Sequence, residues 1–489
     1  STFLLLYPAP QLARIIDPLK IVRSLWAEAG SVVTAEAVLK AAEAVLRTRL
    51  APLVNHLTQA NGPVDQRWYW ALPILLDRTD AISRETVGAW LDSPFQEVPA
   101  EDGETGETIG WSEVVRLAKT MLLANELSFG PAPDDLYQRL AQLTIGSPAI
   151  CAYRALGTIA GSGNATELVR LQGSLAIAQG FRSLYNVPEV MSLLRGSGTD
   201  DDDHYWQRCL QEGVNGNLQS VLDEFLELLP DWLGVMHADT ETIIKEVSSN
   251  VADVLMLRSA VRVVDDISVD GDRIKMDQYR MRTRFALPFG GVSRDEAGTQ
   301  QRIRSVRTAF NSPFWPFVLI STSVGQEGLD FHQYCHAVVH WNLPANPVDF
   351  EQREGRVNRY KGHAVRKNVA QRHGDLVFAA GTDTPWSTMF ESAVDESRTN
   401  GTSNGMEPFW IYGGSSRIER YLPLLPMSRE YERLAQLQKT LAAYRMVFGQ
   451  PRQDDLLALI GKDRSADDLE ELTAMLRIDL SPDAVAGMV

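Results

Sequence analysis

Arg356 and Arg359, with Gln352 ahead of them, carry the most specific chemistry on offer in this chain. They sit in QREGRVNR, residues 352–359, where a helix would place them at i, i+4 and i+7, on one face. Two guanidiniums on one face have few uses in a core and a direct use against a γ-phosphate. Arginine neutralises the charge spread over a transferring phosphoryl group, an effect of roughly 10³ to 10⁵ in rate. Just upstream, FVLISTSVGQEGLDF (317–331) puts Thr322, Gly325, Gly328 and Asp330 past a run that reads as a buried strand. Glycines there let backbone amides approach a phosphate or ribose, and a hydroxyl or carboxylate fixes it. Alone, that loop also fits a turn with incidental glycines, and the arginines alone fit a salt-bridged surface helix. Their succession argues for a phosphate site.

Such side chains need a rigid scaffold. From 256 to 400 the sequence alternates short apolar runs with helical stretches. RFALPFG (284–290), FVLIST (317–322), AVVHWNL (337–343) and DLVFAA (375–380) read as strands, with an Arg-rich helix over 295–310. Strand, helix, strand at this spacing predicts an α/β lobe with a doubly wound parallel sheet, whose functional loops lie at the carboxyl ends of strands. Residues 1–255 read as a mainly helical accessory domain, with helical periodicity strongest over 35–57 and 216–233. Residues 401–489 read as a helical extension, its main helix over 428–448 with Ser428 as N-cap. Loops are expected at 92–108, 195–203 and 395–405.

The composition sets bounds on function. The length, 489 residues, calls for two to four domains, and 44% apolar with 22% charged residues is a soluble globular balance. No apolar run approaches the ~20 residues needed to span a bilayer, and no membrane role is expected. Phe3 to Tyr7 is too short, and lacks the basic flank, for a signal-peptide core. Three widely spaced cysteines, Cys151, Cys209 and Cys335, make no disulfide framework and suit a reducing cytoplasm. Residue 1 is Ser, and the chain is expected to be part of something longer. A net charge of −16 argues against a protein coated in nucleic acid. The basic charge is local: between Arg353 and Arg372 seven Lys/Arg face one acid, Glu354. Arg302, Arg304 and Arg307 belong to a second basic stretch, placed to meet phosphates or to form a solvated face.

The loop 321–330, the arginine cluster 352–359 and WNLPANP (341–347) between them resemble motifs V and VI of the superfamily 2 helicases and translocases. WNLP followed by EQREGR is most similar to the Swi/Snf-like and RapA-like branch. The resemblance runs from about 282 to 375 and implies a RecA-like C-terminal lobe that works with ATP and Mg²⁺ on DNA, double-stranded in that branch. It implies Arg356 and Arg359 as catalytic arginine fingers, and Gly328, Asp330 and Gln352 as nucleotide contacts. Thr322 would touch the nucleic-acid backbone, with Arg302 and Arg304 beside it. Large bacterial helicases of this look often serve antiviral defence, which would add other subunits as partners.

Hydrolysis in that superfamily also needs a first RecA-like lobe, with a phosphate loop and an Asp-Glu pair holding Mg²⁺. G-x-x-x-x-G-K-[ST] occurs nowhere in these residues; the sole Gly-Lys, Gly461-Lys462, continues into Asp463. VLDEF (221–225) mimics the acidic pair but lies in an amphipathic helical stretch. Asp265-Asp266, after the apolar VRVV, could end a strand but reads rather as a turn. His332, Cys335, His336 and His340 lack a CxxC partner and span an expected strand, so no metal is assigned. The first lobe is therefore expected elsewhere, in cis or in trans. The alternatives are a non-catalytic helicase-like scaffold that binds DNA or a partner protein, and an RNA helicase.

Overall fold

A computed structural model describes residues 2–30, 32–59, 62–93, 111–124, 127–159, 164–196, 204–257, 260–270, 273–283, 305–320, 330–344, 347–382, 384–401, 406–423, 429–446, 468, 471 and 475. The chain divides into two compact units. The first joins Ser1–Leu287, Asp295–Phe317 and His373–Ser392; the second joins Pro288–Arg294, Val318–Arg372 and Ala393–Val489.

Up to Leu255 the named elements of the first unit are helices. They are α1 (Phe3–Leu6), α2 (Pro10–Ile15), α3 (Pro18–Ala29), α4 (Ala35–Leu57), α5 (Trp68–Thr79), α6 (Ala81–Asp92) and α7 (Trp111–Leu123). There follow α8 (Leu136–Gly146), α9 (Pro148–Ile159), α10 (Asn164–Tyr185), α11 (Pro188–Gly196), α12 (Tyr205–Asn215), α13 (Leu218–Leu233) and α14 (Thr240–Leu255). Their ends follow side-chain chemistry. Asp17 accepts from the Leu19 and Lys20 amides with Pro18 behind it, and Gly30 closes α3 in the left-handed region at φ 59°. Thr34 caps α4 through the Ala37 amide, and Asp239 caps α14 through Thr242. The periodicity read over 35–57 is realised as α4, whose buried stripe Val38, Ala42, Leu46, Leu50 and Val54 repeats every four residues. The helical stretch read over 216–233 forms α13. Helices α8 and α12 cross at a glycine pair: a Cβ on Gly146 would lie 2.3 Å from the Leu210 carbonyl oxygen.

The N-terminal run Phe3 to Tyr7 is core, with every residue buried. Tyr7 stacks on Phe3 at 5.0 Å and packs against Trp90 at 5.8 Å. Its hydroxyl donates to Asp77 Oδ2 at 2.5 Å, and the Gln11 amide donates to Oδ1 at 2.8 Å. Asp77 is thereby buried with its oxygens satisfied.

Two strands follow. β1 (Ala260–Asp270) and β2 (Arg273–Thr283) form an antiparallel hairpin in register from Ala260↔Thr283 to Asp270↔Arg273. The expected turn at Asp265-Asp266 is absent: these residues lie mid-strand, opposite Gln278 and Asp277. Val263-Val264 before them and Ile267 after them favour extended backbone, and the register carries both acids through.

Of the expected doubly wound sheet, the described residues show one short parallel pair. β3 (Ala337–Val339) pairs in parallel with β4 (Glu419–Tyr421), and this is the one parallel ladder among the described residues. β3 is shorter than the expected 337–343. Residues 317–320 form no strand, and Val318 and Ile320 are exposed. Pro316 removes a donor just before them, and no partner strand lies beside them among the described residues. The expected strand 284–290 lies outside the described residues. DLVFAA (375–380), also expected as a strand, is the end of a helix. Helix α15 (Pro347–Gly355) is followed by α16 (His363–Ala380), α17 (Pro385–Thr399) and α18 (Glu430–Met446). In α16, buried Val365, Val369, His373 and Val377 keep a four-residue repeat straight through the apolar run. Within the second unit, Phe350 of α15 packs on Leu437 and Leu441 of α18, and Leu343, ahead of α15, joins the cluster. The cap expected at Ser428 lies outside the described residues.

Asp77 gives the helical unit a defined pH response. Burial lifts its carboxyl to about 7, against the lowering effect of the Tyr7 and Gln11 hydrogen bonds and the Arg14 charge, with Asp80 adding to the rise. An unfolded aspartate titrates near ~3.9. The folded state therefore holds the proton more firmly, so this stabilisation is complete below about pH 4 and is lost as pH rises through about 7. Thermal melts across that window should show wild type losing stability relative to Asp77→Asn as pH rises. Parallel curves for the two proteins would contradict this assignment.

Candidate nucleotide site

The arginine-bearing segment begins where α15 stops. Gly355 ends the helix, and the Val357 and Asn358 amides both donate to the Glu354 carbonyl, at 3.0 and 3.2 Å. The expectation that Gln352, Arg356 and Arg359 share one helix face is therefore corrected. Gln352 is exposed on α15, while the two arginines lie in the turns beyond it. The physical reason is a competing partner: the Arg356 carbonyl accepts from the Phe331 amide at 2.8 Å, so the chain leaves the helical path to meet the 330–332 loop. The seam continues at His363, whose amide donates to the His332 carbonyl at 3.1 Å. Between these anchors Lys361 takes the left-handed conformation, φ 48°, and its amide donates to the Phe409 carbonyl at 2.7 Å.

This turn still brings the charged groups together. Arg359 Nε lies 3.2 Å from Asp330 Oδ1, and Arg356 Nη1 lies 3.8 Å from the same oxygen. All three side chains are part-buried: 19% exposed at Arg356, 37% at Arg359 and 38% at Asp330. They are shielded enough for their charges to be felt and open enough to be reached from solvent. Thr322, Gly328, Arg302 and Arg304 lie outside the described residues.

Behind the site stands a brace that the sequence did not reveal. Glu354, in the last turn of α15, receives Arg420 Nη2 at 2.6 Å and lies 3.1 Å from His340 Nε2. Burial alone would raise this carboxyl; the hydrogen bonds from His340 and Arg420 and the Arg420 charge outweigh it and hold the carboxyl below its ordinary range. Since the carboxylate is ionised, the His340 nitrogen is the donor. Both partners also pack on Phe350: the His340 ring stacks at 4.8 Å and the Arg420 guanidinium lies 4.8 Å from the ring centroid. Arg420 belongs to β4 and His340 follows β3, so the small parallel sheet and the arginine turn are fastened by one carboxylate. Arg366, another residue of the basic cluster, is almost wholly buried and donates to the Lys361 carbonyl at 2.8 Å, fixing the left-handed turn.

Among the described residues no group of three or more His, Cys, Asp or Glu converges to hold a metal ion. His336 and His363 are ring neighbours at 5.2 Å. Burial, with the charges of Arg366, His336 and Lys367, lowers His363 to about 4, so its ring is neutral at pH 7. In VLDEF, Asp223 lies inside α13, accepts from Gln219 Nε2 at 2.7 Å and is raised by burial to about 7.

Residues 289–361 match the model of the helicase conserved C-terminal domain. The match takes in Gly328, Asp330, Gln352 and both arginines, and supports a C-terminal helicase lobe in this part of the chain. Such domains form RecA-like α/β lobes, bind nucleic acid and belong to ATP-dependent helicases, which usually use Mg²⁺. No curated protein and no solved structure matches the chain. No helix among the described residues is long and apolar enough to cross a membrane.

Removing Arg420 strips a part-buried carboxylate of its charged donor. Arg420→Ala is expected to cost about 2 kcal/mol, seen as a lower urea midpoint, with Arg420→Lys recovering part of it. Because Glu354 is depressed in the folded state, its contribution is present at neutral pH and lost as pH falls through its folded value. An unchanged midpoint in Arg420→Ala would remove the brace.

Proposed function

We propose that this chain supplies the second RecA-like lobe of an ATP-driven DNA helicase or translocase, with double-stranded DNA as the track. Arg356 and Arg359 complete a site whose phosphate loop is carried by a first RecA-like lobe, in cis on the same polypeptide or in trans on another subunit. The observation that supports this most is the convergence of the two guanidiniums beside Asp330 within 3.8 Å. A pair of part-exposed arginines held by backbone hydrogen bonds at both ends suits charge neutralisation on a transferring phosphoryl group.

The roles divide accordingly. Arg356 and Arg359 are the fingers, while Gly328, Asp330 and Gln352 contact nucleotide. Thr322, Arg302 and Arg304 meet the DNA backbone, and the Mg²⁺ ligands belong to the first lobe. Residues 1–255 serve as a helical accessory domain, 256–400 as the motor lobe and 401–489 as an extension whose Arg420 steadies α15. Kinship with the Swi/Snf-like or RapA-like branch and a place in a bacterial defence complex follow from the resemblance of 321–359, and a cytoplasmic setting from the three widely spaced cysteines.

In the complete assembly, Arg356→Ala should lower ATP turnover by roughly 10³-fold or more while nucleotide binding stays near wild type. Phosphate release with DNA or RNA added identifies the track, DNA being the expected stimulant. Wild-type turnover by the variant would favour a non-catalytic scaffold, and stimulation by RNA alone would make it an RNA helicase.

A further inference from the structure

We propose that Asp330 is the resting occupant of the phosphate pocket: its carboxylate stands in for phosphoryl oxygens between Arg356 and Arg359, and nucleotide must displace it. The inference rests on the phosphate reading of the two arginines and adds how that site is kept ready and selective. Two guanidiniums brought together repel one another, and Asp330 supplies a compensating charge, with Oδ1 at 3.2 and 3.8 Å from them. The carboxylate cannot drift far, because the next residue, Phe331, is tied by its amide to the Arg356 carbonyl at 2.8 Å. Nor is it locked in. At 38% exposure it is reached by water, and ion pairs of that kind are weak enough for a stronger anion to replace.

A polyphosphate carries several charges and more acceptor oxygens than one carboxylate, so it wins where chloride or a monocarboxylate does not. Displacement frees Asp330 only when phosphate arrives.

Tripolyphosphate separates this role from any contact of Asp330 with ribose, which tripolyphosphate lacks. Calorimetric titration of the full chain should show Asp330→Asn binding tripolyphosphate roughly three- to tenfold tighter than wild type. Asp330→Glu should stay near wild type, while Arg356→Ala and Arg359→Ala should lose binding. Unchanged or weaker binding by Asp330→Asn, with the arginine variants still losing it, would overturn the occupant role alone. Unchanged binding by the arginine variants would overturn the phosphate reading beneath it. Circular dichroism checks that Asp330→Asn is folded, and Asp330→Ser serves as a second neutral variant; unfolding of both would make the carboxylate structural and sink the proposal.

Discussion

The hydrogen bond from the Phe331 amide to the Arg356 carbonyl organises the candidate site. It pulls the chain out of its helix immediately after Gly355 and lays the arginine turn against Asp330 and Phe331. Without it the four-residue spacing of Gln352 and Arg356 would continue along α15, and the guanidiniums would point along a helix face. With it, both arginines meet one carboxylate, at distances where charge matters and solvent still enters. The His363 amide, bonded to the His332 carbonyl, repeats the same connection at the far end. The turn is thus fastened at both ends by backbone groups.

Rigidity behind the turn comes from ionic and aromatic contacts. Glu354 gathers Arg420 and His340, and Phe350 lies under both of their side chains. A carboxylate half out of water is costly unless its lone pairs are filled; here a guanidinium and an imidazole fill them. The consequence is that residues from three places in the sequence, 340, 354 and 420, move as one support. An arginine finger gains from such support, because its effect on a phosphoryl group depends on being in place before the charge develops.

Legibility in the sequence followed distance along the chain. Helix α4 could be read because its apolar stripe repeats within one segment, and the grouping of Asp330 with Arg356 and Arg359 could be read from motif order. The helical nature of 375–380 could not, since a six-residue apolar run fits a strand or a buried helix equally until the repeat from Val365 onward is traced. Asp265-Asp266 looked like a turn because acids are poor strand formers, yet cross-strand register overrode them. The Glu354 brace was invisible: Arg420 lies 66 residues away, and nothing local marks it as a partner. The same limit explains the helix-face expectation for Arg356, which ignored a bond to a residue 25 positions earlier (356 − 331).

On the proposed reading the charged cluster is half of a catalytic apparatus, because positive groups aimed at a phosphate cannot by themselves cradle it or hold its metal. The most direct test is ATP hydrolysis by purified residues 1–489 measured beside the natural assembly that contains a phosphate-loop lobe. The account predicts no turnover above background from the chain alone and turnover from the assembly. Sustained hydrolysis by the chain alone would contradict it.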